Sequence, residues 1–332
     1  MIDYLLLLFR VLVFPGFTFI ILFTMFCDWV ERKVEARMQN RMGPTFTGPG
    51  GILQPIADFI KLLTKEELTP CETRRNIYRV VPVLALSVLV FALSFLPIDG
   101  TSVIPGISFT GDLIFVMALV SVANFLLFLA GWSSSNPYSA VGAARVLTQF
   151  LGYDIPLVML ALAPAFLAHS LTISAIVASQ FSWLPFAILA PWAFVLFVIT
   201  MQAELEKDPF DIPHAESEVV GGHETEYSGG KLAFLKLARD VQIVFGGALI
   251  TVLFLGGANG PVPFGFLPQF WGTLWFVLKV LGVVVVSEYM TVLFARLRID
   301  QVVRANWRII LPLSVLSLIL TISLAYWVFP LV

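Results

Sequence analysis

The stretch ELEKDPFDIPHAESEVVGGHETEYSGG, residues 204–230, holds eight carboxylates within 23 positions: Glu204, Glu206, Asp208, Asp211, Glu216, Glu218, Glu224 and Glu226. On a fully solvated loop such crowding is harmless, because charges are screened over about 8 Å. Here the acids are interleaved with Pro, Phe, Val and Gly rather than Ser and Lys, which implies partial burial. Acids forced together in low dielectric take raised, coupled pKa values and hold protons near neutral pH. The segment therefore reads as a proton reservoir, and the prolines of PFDIP rule out regular helix around Asp211. Asp28, Asp154, Lys279 and Glu288 stand inside otherwise apolar runs. Each costs about 2.5–3.5 kcal/mol at mid-membrane unless it faces the bundle interior. Asp28 also fits a membrane edge, whereas Asp154 and Lys279 point to a polar pathway. His214 and His223 are too few and too separated to ligate a metal without partners, and His169 reads as a surface residue. Cys27 and Cys71 lie 44 positions apart with no CxxC and no nearby His, so no zinc site or iron–sulfur cluster is expected on this chain alone.

The elements that position these groups follow from composition. Of the 332 residues, 58% are hydrophobic and 13% charged, where soluble domains carry about 25% charged residues. This is the composition of an integral membrane protein, and a net charge of −2 gives no electrostatic basis for nucleic-acid binding. No GxGxxG or Walker loop occurs, so electrons in any redox role travel elsewhere. Apolar stretches near 5–29, 77–97, 112–131, 149–170, 184–203, 239–257, 272–294 and 308–330 are long enough to cross the hydrocarbon as helices. The expected fold is all-α, a single polytopic bundle over residues 1–332 with about eight transmembrane helices. Prolines 82, 156, 164, 185 and 191 are expected to kink it.

Charge is one-sided along this chain. The segments 31–79, 132–148, 204–240 and 295–308 hold 18 of the 20 Lys and Arg, leaving only Arg10 and Lys279. The positive-inside rule then puts loops 31–76, 132–148, 204–238 and 295–307 in the cytoplasm and both termini outside. In the first loop, Gly43-Pro44 and Gly48-Pro49-Gly50-Gly51 break helix, after which Ile52, Leu53, Ile56, Phe59, Ile60 and Leu63 recur at helical spacing. That pattern is an amphipathic helix lying in the membrane interface.

Four segments, GGILQPIADFIKLLTKE, GWSSSNPYSAVGAARVLTQFLGYDIPL, PFDIPHAESEVVGGHETEYSG and RLRIDQVVRANWRIILPLS, resemble in order and spacing the signatures of the H-subunit family of the respiratory complex I superfamily. The resemblance spans nearly the whole chain. It implies the heel of a membrane arm in the cell (inner) membrane. A soluble arm with iron–sulfur clusters would dock on the cytoplasmic loops, and small membrane-arm and antiporter-like subunits and lipid would flank the chain. The chain itself would carry no cofactor, no metal and no catalytic group of its own, with a quinone as a possible bound acceptor. Ion coupling would fall to Asp154, Glu204, Asp211, Glu216, Glu218, Glu226, Lys279 and Glu288. The soluble-arm or acceptor face would take Arg37, Arg41, Phe46, Gln54, Asp58, Lys61, His214, Arg239, Arg296 and Arg298.

The chain departs from the quinone-reducing pattern at three places. GPTFTGP puts Thr45 and Phe46 where that pattern has Asn-Arg, His214 replaces a carboxylate, and Ala238-Arg239-Asp240 replaces Ala-Glu-Tyr. Losing an Arg removes a fixed charge and five donors. The expectation leans towards a hydrogenase-like or sulfane-reducing relative, with a quinone-reducing subunit as the alternative. Two other classes compete. A secondary transporter predicts paired broken helices and a midplane substrate site; the prolines agree with that, while the large loops and the lack of an internal repeat speak against it. A structural anchor would leave Asp154, Lys279 and Glu288 without a purpose.

Overall fold

The computed structural model describes residues 2–104, 106–182, 184–262 and 268–328, and among them the chain is helical with a single isolated β-bridge between Pro97 and Ser102. The helices run in the order α1 (Ile2–Leu12), α2 (Phe17–Met38), α3 (Gln54–Thr64), α4 (Arg75–Leu93), α5 (Asp112–Ser133), α6 (Pro137–Leu167) and α7 (Ile173–Ser182). There follow α8 (Phe186–Leu189), α9 (Pro191–Glu204), α10 (Glu216–Val219), α11 (Gly229–Phe254), α12 (Pro268–Leu293), α13 (Ile299–Ala305) and α14 (Leu311–Val328). Among the described residues, seven helical segments are long and apolar enough to cross a membrane. The fifth expected span is different. Ala190 leaves helical conformation at φ −130°, and Pro191 starts a new helix, so residues 184–203 become the short α8 and the 14-residue α9.

Several helices also outrun the spans expected from hydropathy. α2 continues to Met38 rather than ending near 29, α6 begins at Pro137 and α11 at Gly229. Much of what reads as loop is therefore helix standing beyond the apolar stretch. The reason is local pairing: Arg32 on the extension of α2 binds both Asp28 and Asp58, so the charged turn is held by protein rather than by water. α4 and α6 run through Pro82, Pro156 and Pro164 without ending, while Pro185 and Pro191 stand at helix starts.

α11 is the axis of the bundle, with 89% of its apolar window buried, and α2, α3, α4, α9 and α12 pack on it. The expected amphipathic helix is α3. It lies against α2 and α11, with Phe59 edge-on to Phe234, and leaves Leu53, Ile60 and Leu63 exposed. The basic loops gather on one end of the bundle: Lys207 pairs with Glu31, Arg145 with Glu218, Arg296 with Asp211, and Leu68 N–H donates to Ser228. The short connections gather at the other end, where Arg10 binds Asp99 and Lys279 binds the turn after α11. Cys27 is buried and Cys71 exposed, both as free thiols.

Candidate functional site

At the loop-bearing end, the chain leaves α9 and crosses the bundle as an irregular segment from Leu205 to Ala215, as PFDIP requires. Its first residues drive three side chains in different directions. Glu204, the last residue of α9, is 1% exposed. Its Oε1 accepts from Asn124 of α5 at 2.7 Å and its backbone carbonyl from Gln242 of α11 at 3.0 Å, while Oε2 has no partner among the described residues. Tyr153 of α6 closes the cluster, its hydroxyl 3.4 Å from the Asn124 amide. A buried carboxylate oxygen with no donor is an incomplete site that a proton completes. One position along α6, Asp154 accepts from Ser121 at 3.0 Å and sets a second acid beside the first.

Lys207 turns the other way, towards α2 and α12. Its ammonium lies 3.0 Å from Glu288 and 3.0 Å from Glu31, all three side chains nearly sealed. Burial disfavours the ammonium, yet the two carboxylates outweigh it and hold its pKa above the ordinary range. The contact with Glu31 is an ion pair without hydrogen-bond geometry, leaving Glu31 Oε1 without a hydrogen-bond donor among the described residues. Glu206 lies between these two groups in sequence and faces a third direction, 2.9 Å from the ring of His214. Burial raises the Glu206 carboxyl and pushes the His214 and His223 imidazoles down to about 3, so both rings are neutral at pH 7.

Beside Lys207 lies a cavity of about 270 Å³ between α2, α3 and α11. Its polar wall includes Asp28, Glu31, Arg32, Asp58, Lys207, Arg239 and Asp240, and its apolar wall includes Phe59 and Leu62. Arg32 is clamped by Asp28 and Asp58, and Asp58 also accepts from Gln54 at 2.8 Å. The cavity thus offers fixed donors and acceptors over an apolar floor, the makeup of a site that orients a small polar group.

The expected ion-coupling residues separate into groups. Glu204 and Glu288 are buried in two clusters, with Asp154 half-buried beside the first, while Asp211 lies between Arg296 at 2.5 Å and Arg239 at 3.9 Å. Glu218 is exposed and paired with Arg145, and Glu226 sits on the loop where the Asn136 amide donates to it. The side chain of Glu216 lies outside the described residues. Lys279 is not brought to this network: its ammonium donates to the carbonyls of Leu255, Gly257 and Asn259 at the opposite end. Among the residues expected at the docking or acceptor face, Asp58 and Arg239 line the cavity. Gln54 braces Asp58, and Arg296 holds Asp211. Arg37, Arg41, Phe46, Lys61 and Arg298 are exposed at the loop-bearing end, Phe46 completely so.

Sequence reasoning assigned no coupling or cavity role to Glu31, Arg32, Lys207, Asn124, Tyr153 or Asp240. One signal pointed at Lys207: it is the only Lys or Arg between Glu204 and Gly230, set among eight acids. The separation of His214 and His223 along the chain is closed in space, where the rings lie 4.7 Å apart.

The buried acids and the cavity beside Lys207 sit within an all-helical membrane bundle. A family model described as NADH dehydrogenase matches residues 11–322, and the chain belongs to this family, that of the complex I H subunits. It is 37% identical over 306 residues to the H subunit of NADH-quinone oxidoreductase from Dehalococcoides mccartyi strain CBDB1, covering 92% of this chain and 83% of that one. To the H subunit of NADH-quinone oxidoreductase from Geobacillus kaustophilus strain HTA426 it is 39% identical over 302 residues, 90% and 88% of the two chains. To the corresponding H subunit of NADH-quinone oxidoreductase from Carboxydothermus hydrogenoformans it is 36% identical over 304 residues, 91% and 85% of the two.

Proposed function

We propose that this chain is the junction subunit of an ion-translocating membrane redox complex. Its cavity takes the polar head of a quinone reduced by a soluble iron–sulfur arm docked on the cytoplasmic loops. The observation that carries this is the continuity between cavity and network: Lys207 lines the cavity and also bridges Glu31 and Glu288. A change of charge at a headgroup in the cavity acts directly on that bridge. Carboxylates held in low dielectric answer by taking up or releasing protons. The charged loops face the cytoplasm on this reading, as the distribution of Lys and Arg requires.

The names of the relatives favour a quinone acceptor over the hydrogenase-like or sulfane-reducing reading. So does Arg239, because with Arg32 it supplies guanidinium groups at the cavity wall although Phe46 stands where the quinone-reducing pattern has Arg. The second reading retains one observation of its own: Phe46 stands fully exposed at the position where the quinone-reducing pattern has Arg. Solvent extraction of quinone from native membranes separates the two. Loss of ion pumping on extraction and its return when quinone is added back is the expected result. Pumping that continues in quinone-free membranes with protons or a sulfur compound as acceptor overturns the quinone assignment and leaves the junction role standing.

A further inference from the structure

The buried pair of imidazoles beside Glu206 is not used by the reading above. Glu206, His214 and His223 each present one ligand atom, and the three atoms lie within 4.8 Å of one another. The residues are 5%, 9% and 1% exposed. His214 is hydrogen-bonded to Glu206, but neither ring nitrogen of His223 has a hydrogen-bond partner among the described residues, and its Nδ1 is completely buried. A buried polar group left unpaired costs about 1–3 kcal/mol. An imidazole so placed needs a partner that none of the described residues supplies.

The loop carrying His223 is pressed closely against α5 and α6 at two glycines. A Cβ on Gly131 of α5 would stand 2.7 Å from the His223 Cβ, and one on Gly142 of α6 would stand 2.6 Å from the Gly222 Cα. Glycine at these two positions lets the 222–223 turn approach α5 and α6 closely enough to aim His223 at Glu206. The Ser139 hydroxyl fixes the turn by donating to the carbonyls of Gly222 and His223. The three donors therefore come from one loop folded back on itself, with its far end anchored on two long helices.

We propose that Glu206, His214 and His223 bind a divalent transition-metal ion of the zinc type, which staples the acidic loop 205–228 closed over the bundle. Two imidazoles and one carboxylate are a donor set that zinc accepts at about 2.0–2.2 Å per bond, with water in the fourth position. Tetrahedral bonds of that length set ligand atoms roughly 3.3 Å apart, so the three atoms need move by less than about 1 Å each. Zinc carries no redox chemistry, so its part here is structural. The single carboxylate offsets half of the ion's charge. Arg239, a fixed cation near the two rings, is drawn towards Asp211 at 3.9 Å.

The test uses the intact membrane complex purified through a tag on this chain, equilibrated with micromolar zinc sulfate and washed. Anomalous diffraction at the zinc edge should place a peak between the three side chains. Its absence from wild-type crystals overturns the proposal. Elemental analysis should then find one zinc fewer per complex in His214→Gln and in His223→Gln than in the wild type, with the subunit composition unchanged. Equal zinc in all three preparations overturns it as well. Should neither variant assemble, the wild-type anomalous map decides alone. The quinone-extraction experiment is independent of this outcome, because none of the three side chains lines the cavity or pairs with the Lys207 ammonium.

Discussion

Two lysines in the apolar part of this protein have opposite surroundings. Lys207 is held between the carboxylates of Glu31 and Glu288 at the loop-bearing end, and Lys279 is held by three backbone carbonyls at the other. The first pair of partners carries charge and can change protonation. The second set cannot. Carbonyls at the C-terminus of a helix carry partial negative charge, so an ammonium there closes the end of α11 as a cap closes any helix. A lysine buried in a membrane protein therefore does not by itself mark an ion path. What decides is whether its partners titrate.

That difference is open to direct tests, and the largest effect belongs to Lys207. Lys207→Met leaves two carboxylates buried without a counter-charge, which costs on the order of 3–5 kcal/mol. The expected outcome is loss of the assembled complex, read by blue-native electrophoresis and detergent thermal melting. Adding Glu31→Gln and Glu288→Gln to Lys207→Met should restore assembly and leave pumping absent. Were the triple variant to pump normally, the bridge would be structural and the contrast with Lys279 would collapse.

Glu204→Gln sharpens the comparison from the other side. An amide keeps the volume and one acceptor for Asn124 and Gln242 but cannot carry a proton. Coupled ion transport in vesicles should fall by about 10²-fold or more, the usual worth of a positioned acid–base group, with assembly intact. Asp154→Asn should follow in the same direction. Unchanged transport in both variants would remove α5, α6 and α9 from the path. Lys279→Met, by contrast, gives up hydrogen bonds to three carbonyls near the bundle end and should cost about 1–3 kcal/mol in thermal stability. The pumping-to-redox ratio of whatever assembles should match the wild type, and a lowered ratio would return Lys279 to the coupling machinery.

How much of this could be read from the chain follows the range of the interactions. The spans near 112–131 and 272–294 and the helix at Gln54–Thr64 rest on apolar periodicity within a few turns, and they stand where that periodicity puts them. The absence of helix around Asp211 rests on two prolines and is equally local. Glu31 and Lys207, however, meet across 176 positions, and Lys207 and Glu288 across 81. A charged residue just past an apolar run looks like a membrane edge until its partner is known, which is why Glu31 and Arg32 read as loop. His214 and His223 show the same limit: nine positions of intervening chain gave no reason to expect them face to face. The glycines that make the approach feasible, Gly131 and Gly142, belong to other helices.

The smallest effect concerns pH and is confined to the loop-bearing end. Burial raises the Asp211 carboxyl from 3.8 to about 6 against the opposing influence of Arg239 and Arg296. The native loop therefore binds this proton more readily than the unfolded chain does. Its contribution to native stability is full below about pH 3.8 and is lost as pH rises through about 6. Hydrogen exchange at amides 205–215, corrected for intrinsic rates, should speed up between pH 4 and 7 in the wild type. Asp211→Asn removes the titrating group, keeps a hydrogen-bond acceptor for Arg296 and should flatten that slope. The turn 255–259 held by Lys279 lies among neutral carbonyl partners and serves as the internal reference in the same experiment. A slope that persists in Asp211→Asn would assign the proton to another group of the loop, and a steeper slope at 255–259 than at 205–215 would place the pH response at the wrong end of the molecule for the coupling role argued above.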